Sequence, residues 1–182
     1  MTRPLRGPIL LSVPAAGSAD GFAWRLVAAH NLGAARPGLS SFGVEAVAAW
    51  AAAQEAVHTA APVLPTPIHR RLIGPPVASP IRSPTAPPPI NDGCSFGLGF
   101  ALALFGESSG QEPAPGFGVS AQIDGEGRPA PVDDIRAKAL ALRRALSDIR
   151  SPHPAVLLVA GDQNSRDIGH IRTALRIAVE PV

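Results

Sequence analysis

Two residues carry the most specific chemical signal in the chain: Ser95, within Asp92-Gly93-Cys94-Ser95-Phe96-Gly97, and Lys138, which follows at a separation of 138 − 95 = 43 positions. The sequence has 182 residues and sixteen Lys+Arg, of which fifteen are arginine and one, Lys138, is lysine. Arginine therefore serves wherever a permanent positive charge is wanted. A guanidinium stays protonated in almost any protein site, whereas a partly buried ammonium can give up its proton and act as a base. A serine hydroxyl needs such a base to become a nucleophile. The pair predicts acyl transfer, in which a neutral amine takes the serine proton as the oxygen attacks a carbonyl.

The neighbouring residues indicate how each group would be held. A helix beginning near Asp133 or Asp134 places Ile135, Ala139, Leu142 and Leu146 on one apolar stripe, with Lys138 at its border and Arg136, Arg143 and Arg144 toward water. An amine beside apolar side chains loses hydration of its charged form, which moves its pKa down toward neutrality. Taken alone, a lysine in this position reads as a snorkelling surface residue. Phe96 to Phe105 is apolar on every side and predicts a helix buried all round, with Ser95 at its N-terminus. Unsatisfied N–H groups and the positive dipole end there could receive an oxyanion, with backbone amides from Gly93 to Ser95 as donors. A lone serine at a helix start reads equally as a cap.

The remaining elements follow from periodicity and turn chemistry. Ile9 to Val13 and Phe22 to Ala29 read as strands of a hairpin near a sheet edge. A helix capped by Ser40 or Ser41 runs to about Val57, with Val44, Val47, Trp50 and Ala51 inward and Glu45, Glu55 and His58 outward. Residues 61–91 are dense in proline and read as a connector, with edge-strand character around Arg71 to Ile73 and Val77 to Ile81. A proline-rich ligand for SH3-like modules is the competing reading of that stretch. Phe117 to Ile123 predicts a strand carrying Ser120, Asp124 to Gly127 a tight turn, and Arg128 to Val132 a short return strand. Ala155 to Ala160 predicts a strand buried on both faces. A polar loop from Gly161 to Arg166, a short helix from Asp167 to Ala174 and a last strand from Ile177 to Val182 complete the order.

Composition narrows the classes. The length and a hydrophobic content of 46% fit one α+β domain over residues 8–182 behind a tail of residues 1–7, with the connector inside it. A net charge of +2 without any basic block interleaved with aromatics argues against nucleic acid as a partner. The longest apolar run, Phe96 to Phe105, is too short to span a membrane. The single cysteine, Cys94, fits a reducing compartment. Arg3 and Arg6 followed by Ile9 to Val13 imitate a secretory signal, but Pro14 interrupts the apolar stretch, and a cytoplasmic location is expected. His30, His58, His69, His153 and His170 have no metal-ligand spacing, so neither metal nor cofactor is expected. Cys94 as nucleophile lacks a histidine partner and reads better as a small buried hydrophobe.

These residues resemble the proteolytic domain of Lon proteases, which are Ser/Lys-dyad peptidases. The family's Asp-Gly-Pro-Ser-Ala-Gly is similar to Asp92-Gly93-Cys94-Ser95-Phe96-Gly97, and its Gly-Arg-x-x-Pro-x-Gly-Gly-Leu-x-x-Lys is similar to Gly127 to Lys138, at the family's spacing and without a gap. Val156 to Ile168 and the last strand also resemble the family pattern. The resemblance implies a Lon proteolytic-domain-like fold, of the ribosomal protein S5 domain 2-like kind, with a mixed sheet packed with helices. It implies Ser95 as nucleophile, Lys138 as base, Ser120 as the hydroxyl that orients the amine, and Asp92, Gly93 and Cys94 as supporting residues. It further implies a protein or peptide substrate, no cofactor, and a homo-oligomeric ring of six. A Gly-x-x-x-x-Gly-Lys motif cannot exist where the only lysine follows Ala137, so any ATPase or other regulatory partner acts in trans. Cys94 and Phe96 depart from the family's proline and alanine, Asp133-Asp134 from its paired glycines, and Gln122 from its glutamate. Those departures define a rival reading, a catalytically silent Lon-like subunit for assembly or partner binding. A third reading takes Gly97-Leu98-Gly99 as a phosphate-cradling loop of the sugar-kinase type.

Overall fold

Four consecutive apolar or small residues, Ile9–Ser12, form the first strand, β1, and all four are buried because the strand runs through the interior of a sheet. The computed structural model describes residues 9–13, 19–27, 43–60, 77–81, 93–109, 117–151, 154–163 and 165–182. Strand β2 (Phe22–Val27) returns antiparallel to β1, with Leu10 opposite Trp24. Next come helix α1 (Val44–Ala60), strand β3 (Val77–Pro80), a short 3-10 turn at Cys94–Phe96, and helix α2 (Gly97–Ser109). Strand β4 (Phe117–Ser120) is followed by a small antiparallel hairpin, β5 (Gln122–Ile123) with β6 (Pro129–Ala130), and then by helix α3 (Ile135–Asp148). Strand β7 (Val156–Val159), helix α4 (Ser165–His170) with a π-helical turn at Ile171–Leu175, and strand β8 (Ala178–Pro181) end the chain.

The fold is α+β. Its six-stranded sheet has the order β3-β2-β1-β4-β7-β8 and is mixed: β3, β2 and β1 pair antiparallel, whereas β1, β4, β7 and β8 pair parallel. The predicted hairpin is present near an edge of the sheet: β2 is the neighbour of the edge strand β3, and β1 lies one strand further in, beside β4. The edge belongs to β3, as its proline requires: Pro80 has no N–H to donate to a further neighbour. The rest of the predicted connector, including Arg71 to Ile73, lies outside the described residues.

Each face of the sheet carries its own core. On one face α3 lays Ile135, Ala139, Leu142 and Leu146, the predicted stripe, against Ile9, Leu11, Leu157, Val159 and Val179. On the other face α1 and α2 pack with Leu10 and Trp24 around Trp50, Phe96 and Phe100. Phe100 meets Trp50 and Phe96 edge to face, at centroid separations of 5.4 and 5.8 Å, the arrangement that aromatic quadrupoles favour.

Helix α1 buries Ala46, Ala49, Trp50, Ala53 and Ala56, while Val44 is 85% and Val47 42% exposed and Ala51 is also exposed. The reason is close approach: a Cβ on Gly93 would lie 2.3 Å from the Cα of Ala46, so only small residues fit that interface. Helix α2 is not buried all round, because Leu98, Leu102, Ala103 and Phe105 keep partial exposure. Strand β7 likewise buries Leu157 and Val159 on one face and only partly covers Val156 and Leu158 on the other. The strand predicted from Phe117 to Ile123 breaks at Ala121, whose carbonyl accepts the Leu98 N–H of α2 at 3.2 Å, so the chain leaves the sheet there.

Candidate active site

Ser95 lies in the 3-10 turn ahead of α2 rather than as the N-cap of the helix. Its side chain is 1% exposed, and Oγ donates to the Leu11 carbonyl of β1 at 3.3 Å. That separation is longer than the usual 2.7–2.8 Å of an O–H···O bond, so the hold is weak. The three amides from Phe96 onward are engaged: Phe96 N–H donates to Gly93, Gly97 N–H to Cys94 and Leu98 N–H to Ala121. These three N–H groups are therefore already taken by main-chain acceptors.

Gly93 is required by packing, with its backbone against Ala46 of α1. Cys94 turns toward α1 as well, its Sγ donating to Glu45 Oε2 at 3.5 Å. Asp92 lies outside the described residues. Gly97 and Gly99 are helical and face close neighbours, a Cβ on Gly99 meeting Leu10 Cδ2 at 2.2 Å. They therefore serve packing rather than a phosphate-cradling loop.

Lys138 is more deeply placed than the border position predicted for it. At 1% exposure it is part of the buried face of α3, and Nζ donates to the Asp133 main-chain carbonyl at 2.8 Å. The Asp133 side chain itself is exposed. Asp134 precedes the helix in the left-handed region, φ 57° and ψ 28°, where a glycine would be unstrained. Its carbonyl receives the Lys138 N–H at 3.1 Å.

Ser120 ends β4 and is completely buried, and its Oγ has no hydrogen-bond partner among the described residues. Its face follows from Gly118: a Cβ there would press on Leu142 Cδ2 at 2.7 Å, and two residues along a strand return to the same face. Because α3 connects the parallel strands β4 and β7, it runs back along the sheet. Two strand residues advance about 6.6 Å, and one helical turn from Leu142 back to Lys138 covers about 6 Å. By these ideal rises Lys138 falls near the level of Ser120 along the sheet. Ser95 reaches the same end of the sheet through Leu11, the residue after the Leu10–Val119 pair of the β1–β4 ladder. Ser95 and Ser120 thus belong to the C-terminal ends of β1 and β4, Ser95 arriving with α2 on one face, while Lys138 belongs to the helix packed on the opposite face.

Outside this point a cleft of about 630 Å³ opens beside the start of α3, lined by Val132, Asp133, Asp134, Asp162, Gln163 and Asp167 among others. Gln163 falls in a stretch that the sequence marks only as a polar loop, yet it is buried and bonds both main-chain groups of Val132. The sole signal for it is an amide-bearing residue just past a buried strand. Among the described residues no group of His, Cys, Asp or Glu side chains is arranged to hold a metal ion, and no helix is long and apolar enough to cross a membrane. No protein-family model matches the chain, and no curated protein matches it in sequence.

Proposed function

We propose that the chain is a serine peptidase of the Lon proteolytic-domain type, working through Ser95 and Lys138 without ATP of its own. What supports the reading is the burial of the only lysine, 1% exposed with its Nζ on the Asp133 carbonyl, beside two further buried hydroxyl groups, Ser120 and the Ser95 that docks on Leu11. Burial this complete penalises an ammonium and favours the neutral amine that a base must be.

In the proposed reaction the Ser95 Oγ–H leaves the Leu11 carbonyl and gives its proton to Lys138 Nζ as Oγ bonds the scissile carbonyl carbon. Nζ, now carrying that proton, returns it to the leaving amine nitrogen as the peptide bond breaks, which leaves an ester on Ser95. Water then gives a proton to Nζ and attacks the ester carbon; Oγ regains the proton as the acid departs. The Ser120 hydroxyl orients the amine, and N–H groups ahead of Phe96 receive the oxyanion. Only the unprotonated amine accepts a proton, so turnover should rise with pH through the ionisation of Lys138. Substrates are flexible peptides or proteins delivered by an unfoldase in trans, and a homo-oligomeric ring is the assembly that this family reading carries with it.

A catalytically silent Lon-like subunit is the second reading. One observation favours it: Ser95 Oγ and Lys138 Nζ each donate to a main-chain carbonyl, an arrangement that holds both groups without any substrate. A fluorophosphonate probe with adduct mapping separates the two. The peptidase reading expects labelling at Ser95 and cleavage of unfolded casein, both lost in Ser95→Ala and in Lys138→Met. Folded wild-type protein that neither labels nor cleaves across the alkaline range would establish the silent subunit instead.

A further inference from the structure

We propose that Gln163 is a positioning residue for Lys138: its buried amide clamps the main chain of Val132 and thereby fixes the Asp133 carbonyl that holds the amine. Gln163 belongs to the small set of buried polar residues, with Ser12, Ser95, Ser120 and Lys138. A buried amide has to be matched at both ends, and here one residue's main chain matches it. Gln163 Nε2 donates to the Val132 carbonyl at 3.0 Å, and the Val132 N–H donates to Gln163 Oε1 at 3.1 Å. The Gln163 N–H in turn donates to the Ala160 carbonyl at 3.0 Å. The loop that opens α3 is thus tied to the end of β7, an interior strand of the sheet.

That loop needs an anchor. Asp134, two residues after Val132, is held in the left-handed region, which a non-glycine residue keeps only where its neighbours over-determine the backbone. Asp133 lies between the clamp and the strained residue, and its carbonyl receives Lys138 Nζ. A neutral amine has two N–H bonds and one lone pair. Pinning one N–H to a fixed carbonyl limits rotation about Cε–Nζ and so limits where the lone pair points. Freed from Gln163, the loop would relax and carry the Asp133 carbonyl away, and the amine would lose that bond. Proton transfer is sensitive to such misplacement, and displacements near 1 Å can cost about a hundredfold in rate. The effect on rate rests on the peptidase reading; the clamp does not.

Two variants test the clamp. Gln163→Leu removes both bonds, and Gln163→Glu keeps the acceptor for the Val132 N–H while losing the donor to its carbonyl at neutral pH. Because Lys138 is the only lysine, protein labelled with ¹³C at lysine Cε gives one side-chain signal, which reads the amine without any turnover. The clamp predicts that this signal shifts in both variants while circular dichroism stays that of the wild type. It also predicts that kcat per titrated active site falls about tenfold in the Leu variant, with KM changed less than about twofold. A shifted signal in a protein whose wild type never labels at Ser95 would support the clamp and sink the peptidase reading. An unmoved signal and an unchanged kcat per site in a folded variant would overturn the clamp while leaving that reading intact. If Gln163→Leu does not fold, Gln163→Glu decides by the same two readouts.

Discussion

The two faces of the sheet solve the same packing problem with different materials. On the lysine face, α3 buries long side chains, Ile135, Leu142 and Leu146, against the leucines and valines of β1, β7 and β8. On the serine face, α1 and α2 approach through alanine and glycine, and the rings of Trp24, Trp50, Phe96 and Phe100 fill what is left. Large side chains tolerate small displacements because their ends can move. Contacts between backbones cannot adjust that way, so the turn at Gly93, set against the main chain of Ala46, is held more rigidly and is more easily broken.

The sharpest way to break the comparison is to add one methyl group to each face. A Cβ on Gly93 would lie 2.3 Å from Cα and 2.4 Å from N of Ala46, main-chain atoms of a packed helix. Gly93→Ala should therefore cost at least about 3 kcal/mol or prevent folding. A Cβ on Gly118 meets Leu142 Cδ2 and Cδ1 at 2.7 and 2.9 Å, the far end of a side chain that can rotate. Gly118→Ala should cost about 1–2 kcal/mol. Urea denaturation of both proteins reads the difference, and equal costs would remove the distinction between the faces.

The same contrast explains what could be read from residues alone. On the lysine face apolar and charged positions alternate with helical period, so the start of α3, its inward stripe and its exposed arginines are all legible. In α1 nearly every position is apolar or small, and the inward face is decided by the room beside Gly93, which no residue type records. The valines therefore point the wrong way. The hairpin and its nearness to an edge are legible, but nothing local tells β1 that a distant parallel partner, β4, will cover its other side. Ser95, Ser120 and Lys138 can be nominated by type and spacing. Three further partners cannot: the Leu11 and Asp133 carbonyls that hold them are backbone groups common to every residue, and Gln163 acts through a contact 31 positions away.

Ser120 offers a finer test at the seam between the faces. Its hydroxyl is buried without a partner among the described residues, a state that costs about 1–3 kcal/mol where no role compensates it. Ser120→Ala should leave the protein as stable as the wild type or more stable by about 1 kcal/mol, because the methyl group that remains needs no hydrogen bond. If the hydroxyl orients the Lys138 amine during turnover, the same variant should lose about tenfold in kcat. Stability and activity moving in opposite directions would mark a group kept for chemistry. Loss of stability in Ser120→Ala would show instead that the hydroxyl is a structural partner in solution, and would withdraw it from the mechanism.

The smallest effect is expected where the sequence looks most like core. Val44 and Val47 carry the largest aliphatic side chains in the first turn of α1, yet they face outward while the alanines of the same helix hold the interface. Burial, and not hydrophobicity, sets what a residue contributes, since only surface removed from water counts. Val44→Ser together with Val47→Ser should change the unfolding free energy by less than about 0.5 kcal/mol in urea denaturation, the range of ordinary surface substitutions. A loss several times larger would mean that these valines are covered in solution, and the serine face would then have to be redrawn with an outer layer over α1.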